Sequence, residues 1–206
     1  MMAQSKGEAT RERLLAAAEA LILEKGYAGA TVDDILRATK MTKGAFFHHF
    51  RDKADLARAV VERYARRDFE LFAAWSERAD RLSDDPLERV FIFLRLFEEF
   101  LDNLGKPFPG CVFASYTYES RQFEPELLDY VRQSLGAWIR LYEEKLEALL
   151  AVRKPRHDAS ARALAEMIVT IIEGGFVMAN AMSDARWLQR QSAQYRDYLK
   201  LLFAPL

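Results

Sequence analysis

The stretch TVDDILRATKMTKGAFFHHF, residues 31–50, decides how the chain is read. Thr31 is a helix-capping residue with Asp34 three positions on, a pairing that satisfies two backbone N–H groups at a helix start. Val32, Ile35 and Leu36 then supply one apolar side. Lys40-Met41 breaks the pattern, Thr42 caps again, and a very short helix runs through His49. Two short capped helices joined by a tight turn make a helix-turn-helix. In that unit the second helix enters the DNA major groove by its N-terminal end. The residues suit this task. Thr42 can cap the helix and offer its hydroxyl to a phosphate, and Lys43 is a cation at the groove edge. Gly44 and Ala45 are small, so the helix can approach bases closely. Phe46 and Phe50, four apart, share a face directed into a core, while Phe47 and His48 point elsewhere and can reach DNA. Thr31 and Lys53, at the starts of the second and fourth helices, are placed to grip the strands on either side. Phosphate contacts position such a unit and groove contacts give it sequence preference.

Helical periodicity extends along nearly the whole chain, with no alternating strand pattern. Leu14, Leu15, Ala18, Leu21 and Ile22 mark a first helix over roughly 8–25, stopped by Gly26. Asp52 caps a fourth helix that runs to about Arg81 and spans roughly 40 Å. Asp85-Pro86 opens a helix to about Asn103, a cap followed by proline at the first helical position. GKPFPGC, residues 105–111, reads as a loop, with a helix from Gly110 to about Ser120. Pro125 opens another to about Val152, and RKPRHD, residues 153–158, ends it. Asp158 starts a helix to about Met182, and Ser183 or Asp184 starts the last, to about Phe203. The expected fold is all-α. A three-helix DNA-binding head spans 1–52, a connecting helix spans 53–81, and a body of about five helices completes a ligand-binding and dimerisation domain of 53–206.

Of the 206 residues half are hydrophobic and under a third charged, ordinary composition for a chain that can bury a sizeable core. One cysteine excludes an intrachain disulfide framework. The N-terminus has no apolar segment of a secretory signal, and charges such as Arg95 and Glu173 interrupt the apolar runs, so no membrane span is expected. These features point to the cytoplasm. Net charge is −1, but residues 1–67 carry 13 Lys/Arg against 9 Asp/Glu, while the remainder is acidic. A basic end on a near-neutral protein suits a polyanion contact made by one module.

Residues 31–62, TVDDILRATKMTKGAFFHHFRDKADLARAVVE, preceded by RERLLAAAEALILEKGYAGA, resemble the tetracycline-repressor (TetR) family of transcriptional regulators. The likeness is specific over about residues 10–62, with a weaker one of IIEGGFVMANAM, residues 171–182, to the dimerising helix of many members. The resemblance implies an all-α homodimer, a head that binds a double-stranded operator, a small-molecule pocket in the body, and release of DNA when an effector binds. By the motif, Thr42, Lys43, Gly44, Ala45, Phe47, His48 and Lys53 fall on DNA-facing positions. The family usually has tyrosine where this chain has Phe47, so that residue offers apolar or thymine-methyl contact only.

The other constellations carry less. His48 and His49 point about 100° apart on one helix and cannot share a metal, so no metal site is expected. No phosphate-binding glycine loop occurs, and neither a cofactor nor an enzymatic role is expected. Cys111 follows Gly110 at a helix start, where the dipole lowers a thiol pKa. A thiol-reactive ligand-binding protein or enzyme with a vestigial head is the alternative reading; a small buried hydrophobe is the plainer fate of Cys111. Most aromatic side chains of the body must form core. Phe97, Phe100, Cys111, Phe113, Tyr116, Trp138 and Tyr142 are candidates to line a pocket for a flat or apolar effector, with Glu119 and Glu173 as polar groups to orient it. Gly174, Gly175, Ala179 and Ala181 thin one helix and suit close packing against a second subunit, so that two heads read a palindrome.

Overall fold

The computed structural model describes residues 6–103 and 110–204. Those residues form nine α-helices and one 3-10 turn, with no strand among them. Helix α1 (Lys6–Gly29) turns sharply at Gly26, whose φ of 74° is a left-handed value that only glycine adopts cheaply. The stop expected there is real, and a short continuation leads into the next cap. Helix α2 (Val32–Thr39) starts with the Thr31–Asp34 capping box complete in both directions and ends on Lys40 in the left-handed conformation. Helix α3 (Lys43–His49) is capped by Thr42, whose side chain accepts from the Ala45 N–H. Helix α4 (Lys53–Leu82) follows Asp52, whose carboxylate accepts from the Asp55 N–H at 2.8 Å.

Helix α5 (Pro86–Asn103) and α7 (Pro125–Val152) both open on the proline expected at the first helical position. Between them α6 (Val112–Tyr118) is shorter than expected, and the 3-10 turn Ser120–Gln122 takes its last residues. Most of the expected loop GKPFPGC lies outside the described residues. Helix α8 (Ala161–Ala181) starts later than Asp158 suggested, because Ser160 makes the cap by accepting from the Ala163 N–H. Helix α9 (Arg186–Leu202) likewise starts after the expected position; Asp184 accepts from the Arg186 N–H rather than heading the helix itself.

The chain divides into two compact units, Met1–Arg66 with Pro109–Arg132, and Arg67–Phe108 with Gln133–Leu206. The first unit holds α1, α2, α3 and α6. Its core is Leu14, Leu15, Ala18, Ile35, Phe46, Leu56, Val60, Phe113 and Tyr116, all nearly inaccessible. Arg63 of α4 bridges Glu12 and Glu19 of α1 at 2.8 and 2.6 Å, and the Arg13 guanidinium donates to the Thr39 carbonyl at 2.9 Å. The second unit packs α5, α8 and α9. Phe93, Leu94, Leu146, Leu149, Ala165, Ile168 and Leu199 form its centre, and Tyr195 donates its hydroxyl to the Leu164 carbonyl at 2.9 Å.

Helix α8 is long and apolar enough to cross a membrane, despite the charge of Glu173 that was expected to disqualify it. Its inward stripe, Leu164, Ile168, Ile172, Gly175 and Ala179, is buried within the second unit. A side chain at Gly175 would put its Cβ 2.6 Å from Leu188 Cδ1 and 3.2 Å from the Leu188 Cα, so α8 and α9 touch at backbone range there.

Candidate nucleic-acid interface

Helix α3 has one face in the head and one in solvent. Phe46 is fully buried and its ring lies 5.7 Å from that of Phe50. On the other side Thr42, Lys43, Gly44 and His48 are exposed, Ala45 is half-buried, and Phe47 is 57% exposed. Phe47 meets Phe46 edge-on at 5.3 Å, which fixes its ring against the helix. Lys43 sits 3.3 Å from Asp33 of α2, and both side chains are largely exposed. Such an exposed pair contributes little to stability. The His49 ring has its pKa held down by burial first, then by His48 and Arg11, so its neutral form is favoured.

Thr31 is exposed at the start of α2, and its hydroxyl donates to Asp34 at 2.8 Å. The hydrogen bonds from Thr31 hold the Asp34 carboxyl below the usual carboxylate range. Lys53, expected at a phosphate, is turned inward. Its ammonium donates to the Tyr27 carbonyl at 2.5 Å and lies 4.1 Å over the Tyr27 ring. Burial lowers the Lys53 pKa, against the opposing pull of Glu119.

Glu119 completes this arrangement. Its carboxylate accepts from the Tyr27 N–H at 2.5 Å and the Ala28 N–H at 2.9 Å. The turn between α1 and α2 is thus held by an anion on its N–H groups and a cation on its carbonyls. Tyr116 stacks on Phe123 with ring centroids 4.5 Å apart and donates its hydroxyl to the Ala57 carbonyl at 2.9 Å. Burial pushes the Tyr116 phenol well above its ordinary value, with smaller contributions from Tyr27 and Glu119. Phe113 meets Tyr64 edge-on at 5.1 Å. Tyr116 and Glu119, expected to orient an effector, are occupied in supporting the head. The reason is that α6 belongs to the first unit, which helix periodicity does not reveal.

The remaining pocket candidates, Cys111 apart, lie in the second unit. Phe97, Trp138 and Tyr142 are buried, and Phe100 and Glu173 are half-buried. Phe72, Trp75, Phe93, Phe97 and Trp138 form a continuous aromatic cluster, with Phe100 5.4 Å from Trp75 and Tyr142 4.8 Å from Phe93. The Tyr142 hydroxyl is buried without a hydrogen-bond partner. Burial first, then Tyr195 and Glu98, pushes its pKa well up. Cys111 is buried at the N-terminal cap of α6.

The four small residues expected at a subunit contact divide. Gly174 and Ala181 are exposed, and a Cβ at Gly174 would meet nothing within 4 Å. Gly175 and Ala179 are buried inside the chain, which corrects their expected place at an interface. Sequence reading missed Met167, Val177, Met178 and Met182, all exposed apolar side chains on α8 or at its end. Their signal was available: with Gly174 they give α8 a second apolar side, as expected of a helix covered all round.

Lys43→Ala is expected to weaken DNA binding on all sequences alike and to lower the salt slope of log K by about 0.9, the share of one phosphate contact. Titration against one duplex at several salt concentrations checks this; an unchanged slope removes Lys43 from the backbone contacts.

Comparison with known proteins agrees with this geometry. Residues 14–60 match the family described as bacterial regulatory proteins, tetR family, and residues 86–194 match the C-terminal domain of LmrA/YxaF-like transcriptional regulators. The chain is similar to the transcriptional regulator AcuR of Cereibacter sphaeroides, with 30% identity over 159 residues, covering 77% of this chain and 70% of that protein. Its similarity to the transcriptional repressor NemR of Escherichia coli (strain K12) is 36% over 73 residues, 35% of this chain and 33% of that one. Among solved structures, a TetR transcriptional regulator from Chloroflexus aurantiacus superposes with a TM-score of 0.77 at 27% identity, covering 95% of this chain and 96% of the other. A TetR-family regulator from Agrobacterium tumefaciens gives 0.78 at 22% identity, covering 94% and 98%, a likeness of fold.

Proposed function

The chain belongs to the tetR family of bacterial regulatory proteins, as a DNA-binding transcriptional regulator, and from that premise we propose a cytoplasmic dimeric repressor of a palindromic operator, released by a small effector. The observation that carries the proposal is the outer side of α3. Thr42, Lys43, Gly44, Phe47 and His48 are exposed on it while Phe46 anchors the opposite side. Lys43 and the Thr42 hydroxyl supply phosphate contacts, Gly44 and Ala45 allow close approach, and Phe47 and His48 meet base edges. Phe47 lacks a hydroxyl, so its contact is apolar, with a thymine methyl as the natural counterpart. Thr31 reaches the backbone from α2, and the inward Lys53 acts by holding the α1–α2 turn.

Dimerisation uses the outward side of α8, with Met167, Gly174, Met178 and Ala181, joined by Leu201 of α9. Paired heads about one helical turn apart then read an inverted repeat. Met178→Glu is expected to shift the dimer to monomer at micromolar concentration in analytical ultracentrifugation, since a buried unpaired carboxylate opposes association. A dimer of unchanged stability would move the interface off this side.

The effector site we assign is the aromatic cluster of the second unit. Its apolar rings favour a flat or greasy molecule, and the Tyr142 hydroxyl supplies a polar handle. Binding releases DNA only if the effector prefers the form whose heads misfit the operator. The thiol-reactive alternative is disfavoured by the burial of Cys111. Selection of bound duplexes from a random pool tests the main reading. Enrichment of an inverted repeat is expected; no enrichment by folded dimer, refolded free of small molecules, would overturn it.

A further inference from the structure

A groove lies between α5 and α9, outside the aromatic cluster. We propose that this groove binds a small monocarboxylate with a short apolar tail. Glu88, Phe91, Ile92 and Arg95 of α5 and Arg196 and Lys200 of α9 line a cavity of about 390 Å³, within the range of small-molecule sites. Arg196 is the anchor. Its side chain is only 18% exposed, one guanidinium nitrogen is held by Glu98, and Nε is buried with no hydrogen-bond partner. A buried guanidinium with an unmet donor is costly, and a small shift of the side chain into the groove would let a carboxylate take that donor in a two-bond pairing. Glu98 is not among the groove-lining residues, and Ser192 donates its hydroxyl to it at 3.1 Å. That carboxylate orients the guanidinium instead of competing for the ligand.

The groove is graded along its length. Glu88 and Arg95 are seven residues apart on α5, about 10 Å along the axis, with Phe91 and Ile92 between them. The ammonium of Lys200 lies 6.0 Å from the Phe91 ring and is paired with Asp197 at 2.7 Å. Arg95 is exposed. The Glu98 contact places Arg196 toward the Arg95 end, and the Phe91 contact places Lys200 at the middle. One end therefore receives the carboxylate, the middle receives the tail, and Glu88 repels a second acid at the far end. Arg196 and Lys200 are four apart on α9 and share one stripe. The site needs only α5 and α9 and stands independently of the operator reading.

The test is calorimetric titration of the full dimer with hexanoate, hexanol and adipate. Saturable binding of hexanoate is expected, with adipate at least tenfold weaker and hexanol without saturation. Arg95→Gln, at an exposed position, is expected to raise the hexanoate Kd about tenfold, and Arg196→Lys to raise it at least as far while the thermal melt shows a folded protein. Arg190→Gln, elsewhere on α9, is expected to leave the Kd unchanged. No saturable hexanoate binding, hexanol binding as tight as hexanoate, adipate binding as tight as hexanoate, or an unchanged Kd in Arg95→Gln would each overturn the proposal.

Discussion

Phe46→Ala is expected to lower the stability of the head by about 3–5 kcal/mol, the cost of emptying a fully buried phenylalanine site. Phe46 is inaccessible and contacts the rings of both Phe47 and Phe50. Its loss removes the only fully buried side chain of α3, and seven helical residues have little stability of their own. DNA binding should therefore fail with the fold of α3 and not through any lost contact to a base. Chemical denaturation followed by fluorescence and circular dichroism checks the stability change. Phe47→Ala separates the two effects: with its side chain mostly in water, stability should change little while operator affinity falls. Equal destabilisation by both substitutions would mean that Phe47 is a core residue.

Glu119→Ala is expected to cost about 2 kcal/mol, since hydrogen bonds to a charged group contribute roughly 1.5–3 kcal/mol each and partial exposure reduces the sum. Two N–H groups, of Tyr27 and Ala28, lose their acceptor together. Gly26→Ala should cost more than the roughly 1–2 kcal/mol of its left-handed backbone alone, because the new Cβ would lie 2.5 Å from Glu119 Oε1. In the Glu119→Ala background that clash is gone, so the double variant should be more stable than the sum of the single effects predicts. Denaturant unfolding of the four proteins measures the coupling. Strict additivity would show that the carboxylate and the glycine do not meet.

Much of the head was legible because its signals are local. Thr31 with Asp34, Thr42 with Ala45, and Gly26 act within four residues, and each appears where the spacing places it. The faces of α3 followed from the same reasoning, since Phe46 and Phe50 are four apart. What was hidden depends on contacts between residues distant in the chain. Lys53 reads as a basic residue at a helix start, the ordinary place for a phosphate ligand. Its inward turn depends on the Tyr27 carbonyl, 26 positions away. Glu119 reads as a polar residue on an apolar helix, and its partners lie 91 and 92 positions away. Small residues on α8 looked alike in sequence, yet Gly175 meets Leu188 and Gly174 meets nothing. That difference is a rotation of one residue about the helix axis, and it takes the neighbouring helix to define it.

The first unit is built from two separated pieces of chain, and this orders its assembly on the ribosome. Residues up to Arg66 emerge well before the segment that ends at Arg132. At roughly 5–20 residues per second the interval is about 3–13 s. During it the nascent head lacks Phe113 and Tyr116, and the backbone of the Tyr27–Ala28 turn lacks its carboxylate. The apolar surface of Tyr64 and Tyr27 waits uncovered, a natural substrate for a holdase. Slow codons placed after residue 132 would let the head close before the body follows; placed between residues 67 and 109, they would lengthen its exposure.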